Sequence, residues 1–174
     1  MQNIFVTKDD FLFFTHTLYE ANKIYSFTII AYSLVNNSYH LLIRSPRVPL
    51  SDVLIFIILQ YSKYFKQKYK YYDQLFETRY YTNMISEPKE LLKASKYIHR
   101  NHLYTQTMVS EEIESYCYNS YSFYMNDKKT KPSYINTYLL PSLIKNHPEL
   151  KMDSYTMYCE SIQTENRKTH PSSV

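Results

Sequence analysis

The chain has 174 residues, of which 44% are hydrophobic and 21% charged, and a net charge of +4. This length and composition predict one soluble globular domain of basic character with a small helical tail, and they argue against two large domains. The longest apolar run, Val53 to Leu59, is too short to span a bilayer, so no membrane partner is expected. The positive charge permits a polyanionic partner without requiring one.

The cysteine and glycine contents give two further expectations. Cys117 and Cys159 lie far apart, which argues against a CxxC metal site and a disulfide framework, and the N-terminus has no signal-peptide pattern. We therefore expect a cytoplasmic location. The chain has 21 tyrosines and no glycine, so Asn-rich turns such as Asn36-Asn37 are expected to replace glycine at positive φ. A compositional drift toward Asn, Lys, Tyr and Ile accounts for both oddities without any function.

The predicted elements follow the order α-β-β-α-β-α with a helical tail. Thr7 is the candidate N-cap of the first helix because acids follow it in the first turn. The elements are a helix from about Lys8 to Ile24, hairpin strands over Ser26 to Leu34 and Ser38 to Arg44, a helix from Ser51 to about Lys70, a strand from Leu75 to Ile85, a helix that begins at Pro88, and two short helices over Tyr134 to Lys145 and Asp153 to Glu165.

This order predicts an α+β fold, an antiparallel sheet with helices packed on it. We expect an α+β domain over residues 1–125, a C-terminal helical extension over 126–166 and a frayed tail over 167–174.

The second strand of the hairpin carries the first candidate site residue. Ser38, His40, Leu42 and Arg44 alternate along it and therefore project to one face. A single half-buried histidine is by itself more typical of a structural residue than of a metal ligand.

Two further groups of residues bear on function. Tyr97 and Asn101 lie one turn apart on one helix face, whereas His99 and His102 are expected at the surface. The lysines from Lys63 to Lys70 fit a solvated helix end, and they also fit phosphate contact, with Tyr69, Tyr71 and Tyr72 for base stacking.

Five segments together resemble one protein family. They are AYSLVNNSYHLLI beside the family's AYCLMPNHFHLLI, YFKQKYKYYDQLFETRYYTNMI beside YFN.KY...LFQGRYKS.LI, YIHRNHLYTQTM beside YIHLNPVRAGLV, CYNSYSFYM beside YPWSSYRAYL, and INTYLLPSLI beside INTDLLLSLF. The family is that of the REP-associated tyrosine transposases, IS200-like members of the HUH single-strand nuclease superfamily. The resemblance runs from Gln2 to about Asn166, and it implies an HUH, ferredoxin-like fold that acts on single-stranded or hairpin DNA.

The resemblance also implies roles for individual residues. Tyr97 matches the nucleophile, His40 the second histidine of a metal-binding pair, and Asn101 the carboxamide ligand. Ser38 replaces the first histidine, and a hydroxyl is a poor ligand for the Mg²⁺ or Mn²⁺ that a functional site would use. The residues expected to bind nucleic acid are Arg79, Arg44, Lys63, Lys66 and Lys70.

Two other departures indicate impaired catalysis. The family's first strand, YHVMLRGNNR, precedes a segment that here follows Met1 directly, so a strand is missing unless the start site is placed too late or a partner supplies it. The family's QGR has become Glu77-Thr78-Arg79, which puts an acid near the DNA path. Three readings stay open: a weakened or inactive transposase, a catalytically inactive nucleic-acid-binding or regulatory protein, and a remnant without a selected role. A homodimer is also left open.

Overall fold

The computed structural model describes residues 3–76, 81–104, 118–126 and 128–161. In chain order its elements are α1 (Lys8–Tyr25), β1 (Thr28–Val35), β2 (Ser38–Arg44), α2 (Leu50–Tyr69), α3 (Pro88–Tyr104), α4 (Ser122–Met125), α5 (Leu139–Asn146), a 3-10 turn (Pro148–Leu150) and α6 (Tyr155–Glu160). The predicted α+β fold, an antiparallel sheet with helices packed on it, is confirmed. None of the helices in the described ranges is long and apolar enough to cross a membrane.

The sheet is a single antiparallel hairpin whose register follows from its two-residue turn at Asn36-Asn37. Val35 pairs with Ser38 next to the turn, and Ser33 pairs with His40. The pairing ends with Thr28 opposite Arg44. The register shifts between Ile29 and Ala31, where β1 carries one extra residue. Side chains alternate between the two faces of the hairpin, and each face packs on its own set of helices.

The first face of the hairpin packs against α1 and α2. The Phe14 and Leu18 side chains of α1 and those of Ile57 and Tyr61 of α2 are fully buried there. These positions recur at helical spacing, which is why the two helices form and why they lie on this face. Thr7 is the N-cap of α1, as predicted: its backbone N–H donates to Asp10 Oδ2 at 2.8 Å.

The second face packs against α3. Leu42 of β2 and Ile30 of β1 share a buried cluster with Leu92 and Ile98 of α3. Because Leu42, His40 and Ser38 alternate along the same strand, this packing turns His40 and Ser38 toward α3 as well.

The outer edge of β1 is covered by two segments from the C-terminal part of the chain. Tyr118 O accepts from Leu34 N at 3.0 Å, and Ser120 N donates to Tyr32 O at 3.0 Å. Further along, Tyr134 O accepts from Ile29 N at 2.7 Å and Asn136 N donates to Ile29 O at 2.9 Å. Main-chain pairing therefore ties residues 118–136 to the sheet.

The predicted strand from Leu75 to Ile85 is wrong for the residues that the structure describes. Leu75, Phe76 and residues 81–85 have no strand conformation, while residues 77–80 lie outside the described ranges. A strand needs a neighbour to satisfy its backbone groups, and the described sheet consists of β1 and β2.

The expectation for positive φ is also wrong. Among the described residues positive φ occurs at Ser26, Lys70 and Lys151, each of which ends a helix, and not at Asn36 or Asn37. The α5 helix starts later than predicted because Asn136 Oδ1 accepts from the backbone N–H groups of Tyr138 and Leu139, at 3.0 and 3.1 Å.

Candidate functional site

The packing of α3 on the hairpin brings His40 and Tyr97 together. Their ring centroids lie 5.5 Å apart and the planes meet at 90°, an edge-to-face contact between β2 and α3. Tyr97 is 49% exposed, so solvent and a ligand reach its ring from outside. This contact is the centre of the candidate site, and it joins two residues that are 57 positions apart in the sequence.

Asn101 and Ser33 lie at the same interface and are buried. Asn101 follows Tyr97 by one helical turn and is 4% exposed, and Ser33 pairs with His40 and is fully buried. Within the described part of the chain, two buried side-chain atoms have no hydrogen-bond partner, Asn101 Nδ2 and Ser33 Oγ. Buried polar atoms of this kind usually bind water, an ion or a ligand.

Neutral side chains dominate the site. Burial lowers the pKa of His40 below its ordinary value, which favours the neutral imidazole at pH 7. Ser38 is half-buried, and its hydroxyl makes a long contact of 3.4 Å with Asn37 Oδ1. Neither strand contains an acidic residue, and α3 has none from Lys93 to Asn101.

His99 is not at the surface, and that expectation was wrong. It is fully buried, with Nδ1 2.8 Å from the Tyr155 hydroxyl and Nε2 2.8 Å from Ser120 Oγ. Burial lowers the pKa of His99 to about 3. Since Ser120 also pairs with Tyr32 of β1, His99 connects α3 to α6 and to the sheet. His102 is a different case because its side chain lies outside the described set.

Sequence reasoning missed His99 and Ser33 for different reasons. His99 lies seven residues after the buried Leu92, on the same face of α3, so helical spacing was a signal that could have marked it as buried. Ser33 could have been predicted from the sequence, since a two-residue turn at Asn36-Asn37 places Ser33 opposite His40.

The comparisons with known proteins decide the family. The sequence matches the family described as "Transposase IS200 like" over residues 2–101, a range that contains the hairpin, α2 and α3 as far as Asn101. The chain belongs to the IS200-like transposase family. Neither the curated proteins nor the solved structures gave a significant match.

IS200-like transposases imply a divalent metal ion, and the donors of this chain fit one poorly. The residues predicted to hold it provide one imidazole, His40, one carboxamide, Asn101, and a hydroxyl, Ser38. All three are neutral, and the unpartnered atom of Asn101 is a donor nitrogen rather than a ligand oxygen. No group of three or more His, Cys, Asp or Glu side chains suited to a metal occurs among the described residues. The resemblance implies two imidazoles and a carboxamide as ligands, and at the positions that the structure describes one of the two imidazoles is replaced by the hydroxyl of Ser38.

The predicted DNA-binding residues lie on different parts of this IS200-like chain. Lys63, Lys66 and Lys70 are exposed at the end of α2, where Lys70 is the C-cap. Arg44 is exposed at the far end of β2, about 13 Å along the strand from His40. Arg79 lies outside the described residues.

The last turn of α2 carries both solvent-exposed side chains and side chains that hydrogen bond within the protein. Lys68 Nζ lies 2.7 Å from Asp10 Oδ1, and Tyr69 donates to the same carboxylate, so both side chains are engaged within the protein. Tyr69 and Tyr71 pack on Phe65, whereas Tyr72 is 87% exposed. Of the three tyrosines predicted for base stacking, Tyr72 is therefore the most accessible.

Proposed function

We propose that this protein binds single-stranded or hairpin DNA and that its inherited strand-transfer reaction is impaired at Ser38. The inherited reaction is cleavage and joining of DNA by metal-assisted transesterification through Tyr97. The similarity of five segments to the REP-associated tyrosine transposases supports this branch of the family. A cytoplasmic location, a homodimer and the division at residue 125 stay predictions.

The observation that carries this proposal is the contact of Tyr97 with His40 across α3 and β2. In the reaction the phenolate oxygen of Tyr97 attacks phosphorus and forms a phosphotyrosine bond, while the bond to the departing strand breaks and its oxygen takes a proton. Half-exposure of Tyr97 is what an attacking group on a large substrate requires, because the phosphodiester has to approach from outside. The poor metal donor set limits the activation of that phosphodiester.

DNA binding itself draws on the exposed lysines at the end of α2. Their positive charge favours phosphate, and the adjacent exposed ring of Tyr72 is suited to stacking on an unpaired base. Phe76, a few residues further on, packs against Tyr39 with ring centroids 6.0 Å apart. Tyr39 projects to the face of β2 opposite Ser38 and His40, so the segment after α2 reaches the start of β2 on the α1–α2 side of the hairpin.

The second candidate function is a catalytically inactive DNA-binding or regulatory protein that keeps the transposase fold. The replacement of an imidazole by the hydroxyl of Ser38 favours it, since binding does not require the metal that cleavage uses. Both candidates predict DNA binding, and they differ in whether a covalent adduct forms.

The test is incubation with a hairpin-forming single-stranded DNA and Mg²⁺ or Mn²⁺, followed by a denaturing gel. An adduct that disappears in Tyr97→Phe supports the enzyme, provided that Tyr138→Phe, a change at a 78% exposed tyrosine, leaves the adduct intact. Salt-sensitive binding without an adduct supports the inactive DNA-binding protein. Absence of binding at low salt refutes both.

A further inference from the structure

We infer that the interface of α3 with the hairpin holds a DNA phosphate directly through neutral hydrogen-bond donors, without a metal ion between them. This inference rests on the proposed DNA binding and specifies how the candidate site contacts its substrate. The ligand class is a phosphodiester oxygen, and the residues are Ser38, His40 and Asn101.

The first argument is the unsatisfied donor at the interface. Asn101 Nδ2 is buried and carries two N–H groups without a partner, although its neighbour one turn earlier, Tyr97, is half-exposed. A donor nitrogen attracts an oxygen of an anion and repels a cation. The Ser33 hydroxyl, opposite His40 and equally without a partner, is a second group able to donate at this interface, directly or through a water.

The second argument is the chemistry of residue 38. An imidazole offers a metal ion a lone pair that is a good ligand, while a serine hydroxyl offers an anion a proton and is a weak ligand. With Ser38 in place of a second imidazole, position 38 offers a hydrogen-bond donor where an imidazole would offer a lone pair to a metal ion. His40 keeps one N–H as a neutral ring, so it contributes in the same sense.

The third argument is charge. A bound cation would find no acidic residue on either strand or from Lys93 to Asn101 of α3. A phosphate would find exposed Lys93 one turn before Tyr97 on the same face of the helix, in a chain of net charge +4. The donors and the lysine one turn from Tyr97 favour the anion, and the acidic residue on this face of α3, Glu90, lies one turn further away.

The experiment measures binding of a fluorescent hairpin-forming oligonucleotide by anisotropy, at low salt, in EDTA and in Mg²⁺ or Mn²⁺. We expect the unmodified protein to bind equally well in both buffers. Asn101→Asp replaces the donor by a carboxylate of the same shape, and we expect it to weaken binding in EDTA about tenfold or more, with recovery in Mn²⁺. Asn146→Asp, which adds the same charge at an exposed position of α5, is the control and should change the affinity less than twofold.

Ser38→Ala is the second variant, because a buried aspartate at position 101 also bears on folding. It removes a half-buried hydroxyl without adding charge, and we expect a loss of about threefold to tenfold in EDTA, compared with no loss in Ser142→Ala at an exposed site on α5. Unchanged binding by Ser38→Ala and by folded Asn101→Asp in EDTA would overturn the inference.

The outcomes separate this inference from the proposed function. If the unmodified protein binds DNA only when a divalent ion is present, the metal-free contact is refuted while DNA binding stands. If the protein binds in neither buffer at low salt, DNA binding itself is refuted.

Discussion

Asp10 joins the start of α1 to the end of α2, and replacing it by asparagine is expected to destabilise the fold. Its carboxylate is fully buried. The two oxygens accept five hydrogen bonds of 2.7–2.9 Å, from the backbone N–H groups of Val6 and Thr7, the hydroxyls of Tyr64 and Tyr69, and Nζ of Lys68. This carboxylate therefore fixes the helix whose last turn carries the lysines of the proposed DNA surface.

The size of the effect follows from how these donors divide between the two oxygens. Oδ1 receives Tyr64 and Lys68, while Oδ2 receives the other three donors. Asparagine puts an NH₂ group in the place of one oxygen, so at least two donors lose their acceptor, each at about 1–3 kcal/mol. We expect Asp10→Asn to lower the free energy of unfolding by about 3 kcal/mol and Tm by about 10 °C.

The assay is urea unfolding followed by far-UV circular dichroism at pH 7, with Asp9→Asn as the control. Asp9 lies in the same first turn of α1 and is exposed, so its replacement removes the same charge without burying an unpaired donor. A loss in Asp10→Asn within about 0.5 kcal/mol of the loss in Asp9→Asn would refute the reasoning, since the stated cost is several times larger.

The pH dependence gives a second reading of the same residue. Burial raises the pKa of Asp10, but the hydrogen bonds from Lys68, Thr7 and Tyr69 outweigh it and hold that pKa well below its ordinary value. Because the pKa of Asp10 is lower in the folded state than in the unfolded state, its carboxylate stabilises the fold fully when the pH is above the ordinary value of about 4. This stabilisation is lost as the pH falls below that value. The unmodified protein should therefore lose stability between pH 5 and pH 3 more steeply than Asp10→Asn does; equal slopes would contradict this assignment.

Three further predictions concern the rest of the fold and the basic helix end. Tyr155→Phe removes a hydroxyl that His99 contacts and should cost about 1–3 kcal/mol in thermal unfolding, whereas the exposed Tyr138→Phe should be neutral; equal losses would contradict it. Ser26→Gly relieves a φ of 50° at the C-cap of α1 and should raise the free energy of urea unfolding by about 0.5–1 kcal/mol, so a decrease would count against it. Changing Lys63, Lys66 and Lys70 to glutamine should reduce the slope of log affinity against log salt concentration for single-stranded DNA by about 2, as measured by anisotropy. An unchanged slope would show that these lysines do not contact phosphate.

The sequence was sufficient where one element's own periodicity decides its structure. The first helix was predicted from Lys8 to Ile24 and spans Lys8–Tyr25, and the second strand has the predicted bounds, Ser38–Arg44. The alternation that turns His40 toward a helix, and the helical spacing of Tyr97 and Asn101, are likewise local properties. That α3 packs on this face of the hairpin is not a local property, and the meeting of His40 with Tyr97 was implied only by the family resemblance.

Sequence reasoning failed where a residue's environment depends on a distant segment. The aromatic and β-branched pattern from Leu75 to Ile85 is typical of a strand, yet pattern alone does not supply the neighbouring strand that pairing needs. His99 was expected at the surface although its spacing from Leu92 indicates a buried face, and its hydrogen-bond partners could not be predicted because Tyr155 and Ser120 lie 56 and 21 positions away. Long-range hydrogen bonds of this kind leave no periodic trace in the sequence.

The position of Tyr97 does not depend on a metal ion. Leu92 and Ile98 hold α3 on the hairpin by apolar burial, and His99, seven residues after Leu92 on the same helix face, joins α3 to α6 and to the segment along β1. The contact of Tyr97 with His40 therefore rests on interactions that do not include residue 38.

Because the position of Tyr97 does not depend on a metal ion, a second imidazole can be tested at position 38. Ser38→His would place a second imidazole on the strand face that already carries His40, next to an α3 that is already in place. We expect this variant to bind Mn²⁺ more tightly than the unmodified protein in isothermal titration calorimetry, without a change in far-UV circular dichroism. An unchanged Mn²⁺ affinity would contradict this expectation and would mean that the replacement at residue 38 is not the only change that keeps a cation out of this interface.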